Sequence, residues 1–379
     1  MSNKHVISDL YQMQSLPLNA KISMTQRRIR EWVDEYGEDG VYISFSGGKD
    51  STVLLDIARK LYPNIKAMFI DTGLEYPEIR EFVKTFENVD WIKPKLTFRK
   101  VIEKYGYPFI GKEISNCIYG ARKGSKTRLK RLQGAVTTGG GGSKKSRFNC
   151  EKWRFMLEAP FEVNDTCCAV MKKRPAKKYY KETGKRPILA MLASESQKRT
   201  IGWLKTGCNA FELKYPQSQP MAFWTEQDIL LYIRQLQDEY DQNLAACNME
   251  VRCRADKTKR RKARKYIKKQ PKRFEICSVY GKVVTEDEVH GQMTLADVSN
   301  MEIFDLGRPV LKTTGCERTG CMFCGYGCHL EKSQGRFEKM KLTHPKQYEY
   351  IMKPWDEGGL GFKEIIDWIN EHGNLNIRY

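Results

Sequence analysis

The chain has 379 residues, twelve cysteines, 40% apolar residues and a formal net charge of +20. That length allows two or three packed units with a real core, and no apolar run is long enough to span a bilayer, which excludes a helical membrane protein. The opening residues carry no leader pattern. Twelve cysteines without one suggest a reducing, cytoplasmic setting, where clustered cysteines more often bind metal or do redox chemistry than form disulfides.

The charge is concentrated in two places. Residues 122–147 hold nine Lys/Arg and no acid, and residues 251–273 hold thirteen with one acid, Asp256. The remainder is close to neutral. A near-neutral body with two basic runs suggests a polyanionic partner, and nucleic acid, DNA or tRNA, is the expected one. The five histidines form no cluster, and no Ser/His/Asp arrangement is readable.

Taken in order, residues 1–40 read as helical, with a helix around 22–36 and no motif. A β-branched strand follows at 41–45, then Ser46-Gly47-Gly48-Lys49-Asp50-Ser51, then a helix to 61 with Val53, Leu54, Ile57, Ala58 and Leu61 at helical spacing. Strand, glycine turn and helix is a phosphate-holding geometry: amide N–H groups converge, and the helix N-terminus favours negative charge. The spacing is not that of a Walker A loop. A second strand at 65–70 ends in Asp71-Thr72-Gly73, a helix opens at Pro77 and runs to 86, and a third strand spans 89–92. The repeat implies a right-handed crossover and a parallel sheet whose ligands sit beyond the carboxyl ends of the strands, so Asp71 and Thr72 are expected near the loop's edge.

These residues resemble a known family. The 46–51 stretch is similar to the SGGxDS loop of the PP-loop ATP pyrophosphatases. The D-T-G at 71–73 resembles the phosphoadenosine-phosphosulfate (PAPS) reductase branch. Glu195, Ser196 and Arg199 match that branch's G-x-R-x-x-E-S-x-x-R, although Met191 and Ala193 replace its glycine and first arginine. The stretch from Pro220 to Ile229 resembles P-[IL]-x-x-W-T-x-x-D-[VI], with Thr225 as N-cap and Asp228 three residues on. The resemblance covers about 40–230. It implies an α/β fold with a doubly wound, mostly parallel sheet of the adenine nucleotide α-hydrolase kind, followed by a cysteine-rich helical C-terminal region. It also implies ATP with Mg2+, bound by Ser46, Gly47, Gly48, Lys49, Asp50, Ser51, Asp71, Thr72, Glu195, Ser196 and Arg199, with Lys49, Asp50 and Asp71 catalytic.

The resulting division is an N-terminal helical segment (1–40), an ATP-binding domain (41–238), a basic insertion (239–274) and a cysteine-rich region (275–379). Residues 139–143, Gly-Gly-Gly-Gly-Ser, have the sequence of an engineered flexible linker; as that, or as a natural glycine-rich loop, they mark an exposed connection. The chain closes with an amphipathic helix at 362–369, ended by Gly373.

The second signal is Cys316, Cys321, Cys324 and Cys328, spaced C-x4-C-x2-C-x3-C and followed by His329. Four thiolates hold zinc or an iron–sulfur cluster. Cys167 and Cys168 are adjacent, and with a later C-x-x-C they resemble the cluster-binding pattern of adenosine-phosphosulfate (APS) reductases. The later run also resembles the sulfurtransferases of DNA phosphorothioation. Two ligand sets stay open: a local one of Cys316, Cys321, Cys324 and Cys328, and one joining Cys321 and Cys324 to one or both of Cys167 and Cys168, with Cys316 as a further candidate. The joined set is favoured because a purely local one leaves the Cys-Cys pair unexplained, and the resemblance favours a [4Fe–4S] cluster over zinc. Cys117, Cys150, Cys208, Cys247, Cys253 and Cys277 read as isolated packing residues.

The activity implied is an AMP-forming, ATP-dependent sulfurtransferase that adenylates a nucleic-acid oxygen and replaces it with sulfur, a cysteine desulfurase being a possible donor. The alternatives are a PAPS or APS reductase, which would need a mobile thiol in the C-terminal tail where none is seen, and an inactive nucleic-acid-binding module.

Overall fold

A run as apolar as Val41-Tyr42-Ile43 must be covered on both faces. In the computed structural model, which describes residues 3–138, 144–252, 273–285, 310–332 and 334–379, that run forms β1 (Val41–Ser44) inside a six-stranded sheet. The other members are β2 (Ala67–Ile70), β3 (Val89–Ile92), β5 (Arg186–Leu189), β6 (Asn209–Ala210) and β7 (Gln217–Ser218); the short β4 (Phe109–Ile110) lies outside it. The order is β3-β2-β1-β5-β7-β6. Strand β1 runs parallel to β2, with Ser44 opposite Met68, and parallel to β5, with Ile43 opposite Ile188. Strand β7 continues parallel to β5, and β6 pairs antiparallel with β7. This is the mostly parallel α/β sheet expected.

The chain moves outward from β1 through β2 to β3, then returns to the other side of β1 with β5. The winding therefore reverses at β1. In open parallel sheets the crevice beyond the strand ends at such a reversal is where ligands bind. The turn after β1 is 46–51 and the turn after β5 leads to Glu195, so the topology alone gathers two of the motifs.

The described chain forms two compact units, each discontinuous in sequence: Met1–Phe69, Tyr76–Ile92 and Tyr179–Thr319 form the first, and Ile70–Glu75, Lys93–Lys178 and Gly320–Tyr379 the second. In the first, the helix Lys49–Leu61 is buried around most of its girth and packs on β1, on the helix Leu18–Tyr36 and on the helix Glu226–Arg252. The amino-terminal segment forms two helices, Ile7–Gln14 and Leu18–Tyr36. The second of these is tied to the P-M-A-F-W-T-E-Q-D stretch. Trp224 donates to Thr25 Oγ1 at 2.9 Å, and Lys21, 1% exposed, pairs with Asp228 at 2.6 Å. Asp228 also accepts from the Thr225 N–H at 2.7 Å, while its own N–H donates to Thr225 Oγ1 at 3.3 Å, which closes the helix start from both sides. That helix runs on to Arg252, well past position 238, because nothing after Glu239 breaks it. Strands β8 (Val283–Thr285) and β9 (Leu311–Thr313) pair antiparallel in the same unit.

The second unit is built on aromatic packing. Strand β4 pairs parallel with β10 (Gly325–Tyr326), and Phe109 stacks edge-on against Phe362 at 5.0 Å. Phe362 opens the helix Phe362–Gly373, preceded by Arg336–Thr343 and Pro345–Met352, so the C-terminal region is helical as read. Among the described residues no helix is long and apolar enough to cross a membrane.

Candidate functional site

The loop of 46–51 is shaped by its second and third residues. Gly47 has φ +71°, and a Cβ there would lie 2.8 Å from Ile79 and from Val83, so no other residue fits. Ser46 and Ser51 hydroxyls meet at 3.0 Å, and Ser51 donates to the Gly48 carbonyl at 2.9 Å. These bonds hold the turn open at the start of Lys49–Leu61.

Lys49 is the loop's cation, and it is 3% exposed. Its Nζ lies 2.8 Å from Glu226 Oε1 and donates to the Glu317 carbonyl at 2.6 Å. Its backbone N–H donates to the Tyr280 hydroxyl at 3.2 Å, and that hydroxyl meets Thr319 Oγ1 at 2.6 Å. Burial pushes the Tyr280 phenol up to about 12, so it stays a neutral hydrogen-bonding group. Glu226 continues the network to Arg318 at 3.4 Å; Arg318 reaches Glu195 Oε1 at 3.2 Å; Glu195 pairs with Arg199. Ser196 caps the helix Gln197–Thr206 by accepting from the Arg199 N–H. Asp50 Oδ1 is buried and accepts no hydrogen bond from the described residues. Burial pushes the Asp50 carboxyl above its ordinary value, against the pull of Lys49, Arg318 and Arg199.

Ser46, Gly47, Gly48, Lys49, Asp50, Ser51, Glu195, Ser196 and Arg199 thus lie in the first unit, with the charged members in one network. Glu226, Tyr280, Arg318 and Thr319 complete it, and no sequence motif singles them out for that role. Asp71 and Thr72 follow β2 directly and belong to the second unit. Both are buried; Thr72 donates to Glu75 at 2.7 Å, and Asp71 Oδ1 accepts from the Gly73 N–H at 3.3 Å.

The second unit holds the cysteine group. Cys167 and Cys168 begin a helical segment that widens into a π turn at Ala169–Lys173, and Asn164 fixes its start by accepting from the Thr166 N–H at 2.9 Å. Such turns recur at functional positions because they re-aim side chains. Cys321 and Cys324 come from the segment leading into β10. Gly325 is required there, since a Cβ would strike the Phe109 ring at 2.7 Å. Opposite Tyr326, Ile110 is held at φ +69°, a strained backbone for a β-branched residue.

Cys167 is pushed well above its ordinary value by burial, with Cys168, Cys321 and Cys324 adding to the effect. Cys321 is pushed up to about 11 by burial, although Lys172 hydrogen-bonds its sulfur and opposes the shift. Cys324 is raised by burial, with Cys168 contributing. Cys168, Cys321 and Cys324 all act on Cys167, so these four sulfurs share one neighbourhood. A bound cation reverses such upward shifts. Cys328 neighbours Cys324 and is pushed up to about 12 by burial. Cys316 belongs to the first unit, where its neighbour is Cys277. Among the described residues, no three His, Cys, Asp or Glu side chains close to metal-ligand geometry. Cys167, Cys168, Cys321 and Cys324 are of the residue type that a thiolate-bound cluster takes, but as placed here they do not close around one.

Two cysteine readings need correction. Cys117 and Cys150 are not isolated: their sulfurs lie 3.6 Å apart, brought together by the pairing of the helix Lys112–Arg122 with the turn Glu151–Glu158. Cys277 likewise neighbours Cys316. In the first basic run, Arg122 points inward and donates to the Met156, Ala159 and Phe161 carbonyls, and Arg131 binds Glu113 at 2.6 Å. Lys123, Lys126, Lys130, Lys144, Lys145 and Arg147 are exposed. Residues 139–143 and 253–272, with most of the second basic run and Cys253, lie outside the described residues, as does the side chain of Cys247.

Comparison with known proteins adds the following. Residues 40–109 match the phosphoadenosine phosphosulfate reductase domain. An uncharacterized protein of Methanocaldococcus jannaschii is 43% identical over 70 residues, 17% of each chain. Adenosine 5'-phosphosulfate reductase 2 of Bacillus subtilis is 34% identical over 77 residues, 19% of this chain and 32% of its own. A phosphoadenylyl-sulfate reductase structure from Candida auris aligns with 62% of this chain and 89% of its own, at 16% identity and a TM-score of 0.33. The match thus spans from 17% to 32% of the length of these two curated relatives.

Proposed function

We propose that this chain, whose residues 40–109 match the phosphoadenosine phosphosulfate reductase domain, is an AMP-forming, ATP-dependent sulfurtransferase acting on nucleic acid. The observation that carries the reading is Lys49. It sits with the helix-start N–H groups at the reversal of the sheet, in a network with Arg318 and Arg199. Three cations and a helix N-terminus suit a polyphosphate.

In this reading an oxygen of the substrate attacks the α-phosphorus of ATP. The bond between the α-phosphorus and the bridging oxygen breaks, and pyrophosphate leaves with its electron pair. Lys49 and the 48–51 backbone hold the negative charge that develops on pyrophosphate. Sulfide, released from a donor persulfide such as that of a cysteine desulfurase by a thiol reductant that becomes a disulfide, then attacks the adenylated centre, and AMP leaves with the oxygen. Asp50, whose Oδ1 has no hydrogen bond from the described residues, is the loop carboxylate that would hold a magnesium ion, which neutralises phosphate charge when bound. Cys167, Cys168, Cys321 and Cys324 would hold a [4Fe–4S] cluster, which supplies sulfide-rich, redox-capable chemistry when bound. The exposed lysines of 122–147 would bind the polymer backbone.

The alternative is an APS reductase, and the observation that favours it is the same four-cysteine neighbourhood, the C-C…C-x-x-C arrangement of that activity. The test is anaerobic incubation of the whole protein with ATP, Mg2+, a sulfide donor and either DNA or tRNA, followed by nucleoside mass spectrometry. Thiolated nucleotide formed only with ATP supports the proposal; no sulfur in either polymer refutes it.

A further inference from the structure

We infer that Arg318 is a phosphate-binding residue and that Glu226 is the internal anion holding its place, and that of Lys49, until a polyphosphate arrives. The inference rests on the reading of the 46–51 loop as a pyrophosphate site.

Glu226 stands apart within its own motif. Trp224 donates to Thr25, Thr225 and Asp228 close the helix start, and Gln227 is bonded to the backbone of Leu311 at 3.0 and 2.9 Å. Each of those side chains has an architectural job. Glu226 does not: one carboxylate oxygen takes Lys49 at 2.8 Å and the other takes Arg318 at 3.4 Å. One anion bridging a lysine and an arginine through two oxygens is the arrangement a phosphate group makes with the same pair.

Accessibility gives the order of events. Lys49 is 3% exposed beneath Glu226, so an incoming anion meets the carboxylate before it meets the ammonium. Arg318 is 58% exposed, with one guanidinium nitrogen on Glu226 and another on Glu195. It is the outer cation and the first that a ligand reaches. A pyrophosphate group carries more charge and more acceptor oxygens than a carboxylate, so it displaces Glu226 from both cations while that side chain swings toward solvent. No covalent bond changes. The ligand class is a di- or triphosphate chain, free or on a nucleoside.

The probe is inorganic pyrophosphate, titrated calorimetrically into the full chain as wild type, Glu226→Gln, Arg318→Ala and Lys49→Ala. Circular dichroism and a thermal melt on each check the fold, and Glu226→Asp serves as the charge-retaining control. Glu226→Gln should bind about tenfold tighter and Arg318→Ala about tenfold weaker than wild type, the size of a single charge-assisted hydrogen bond. Opposite signs matter, because damage to the fold would weaken both. Equal or weaker binding by Glu226→Gln, with wild type binding normally, overturns the placeholder role. Unchanged binding by Arg318→Ala overturns the ligand role. Absence of binding by wild type and Glu226→Gln alike refutes the phosphate reading of the loop itself, and the inference with it.

Discussion

Replacing Lys21 by methionine tests how the P-M-A-F-W-T-E-Q-D stretch is used. Lys21 and Asp228 are 1% and 7% exposed, and their contact is 2.6 Å. Removing one partner of a buried pair leaves an uncompensated charge and costs about 3–5 kcal/mol. Asp228 keeps its bonds from the Thr225 N–H at 2.7 Å and hydroxyl at 2.9 Å, so the lower end, about 3 kcal/mol, applies. For a unit of this size that lowers the melting temperature by roughly 6–12 °C. The double variant Lys21→Met/Asp228→Asn removes the stranded charge and should recover more than half of the loss. Thermal and urea melts of wild type, both single variants and the double give the coupling directly. A Lys21→Met shift below about 2 °C, or losses that simply add, would refute the claim that this aspartate is architectural.

Three further outcomes are expected. Because burial raises the Asp50 carboxyl above its ordinary value, ionising it in the folded state costs stability at all pH values above its folded pKa, and the cost vanishes below the unfolded value. Asp50→Asn should therefore melt higher than wild type at pH 7 and converge with it toward about pH 3.5, near the ordinary carboxyl value, and a constant difference across that range would contradict the assignment. Anaerobically purified protein should be brown with near-stoichiometric iron and sulfide, and Cys321→Ser should bleach it while Cys316→Ser does not; equal loss from both would move the ligand set to the local run. Neutralising Lys123, Lys126, Lys130 and Arg147 should lower nucleic-acid affinity and flatten its salt dependence by about one unit of slope for each phosphate left unneutralised, and an unchanged slope would leave that run without a polyanion role.

The central sheet was readable because its signals are local. A β-branched strand, a glycine pair and a helix of period 3.6 sit within 41–61, and β3 falls at Val89–Ile92 as read. The strand at 67–70 is shorter than its apolar run, since Ile65 packs in the core before the ladder begins, and the helix from Pro77 stops at Lys84. What was not readable is what folding brings together from afar. Glu226, Tyr280 and the Glu317 carbonyl reach Lys49 from three separate segments, and none has a spacing that announces it. Cys117 and Cys150 are 33 positions apart for the same reason. The amino-terminal helix did carry a clue. Leu18, Lys21, Thr25, Ile29 and Trp32 form one stripe at helical spacing, and a lysine and a threonine on an otherwise apolar stripe imply buried polar partners. Those partners are Asp228 and Trp224. The glycines beside the cysteines allow close packing: Gly325 lets the segment press against Phe109, and Gly315 approaches the Val279 carbonyl where a Cβ would clash at 2.3 Å.

The most direct test of the proposed activity compares two substrates in one anaerobic preparation. The whole protein is given ATP, Mg2+, a sulfide donor and DNA or tRNA in one arm and adenosine 5'-phosphosulfate with a thiol reductant in the other. AMP, pyrophosphate and sulfite are then quantified, with Lys49→Ala run alongside. The account predicts AMP and pyrophosphate in equal amounts from ATP, their loss in Lys49→Ala, and no sulfite. Sulfite from the phosphosulfate, with ATP left intact, would contradict it and make the chain a reductase.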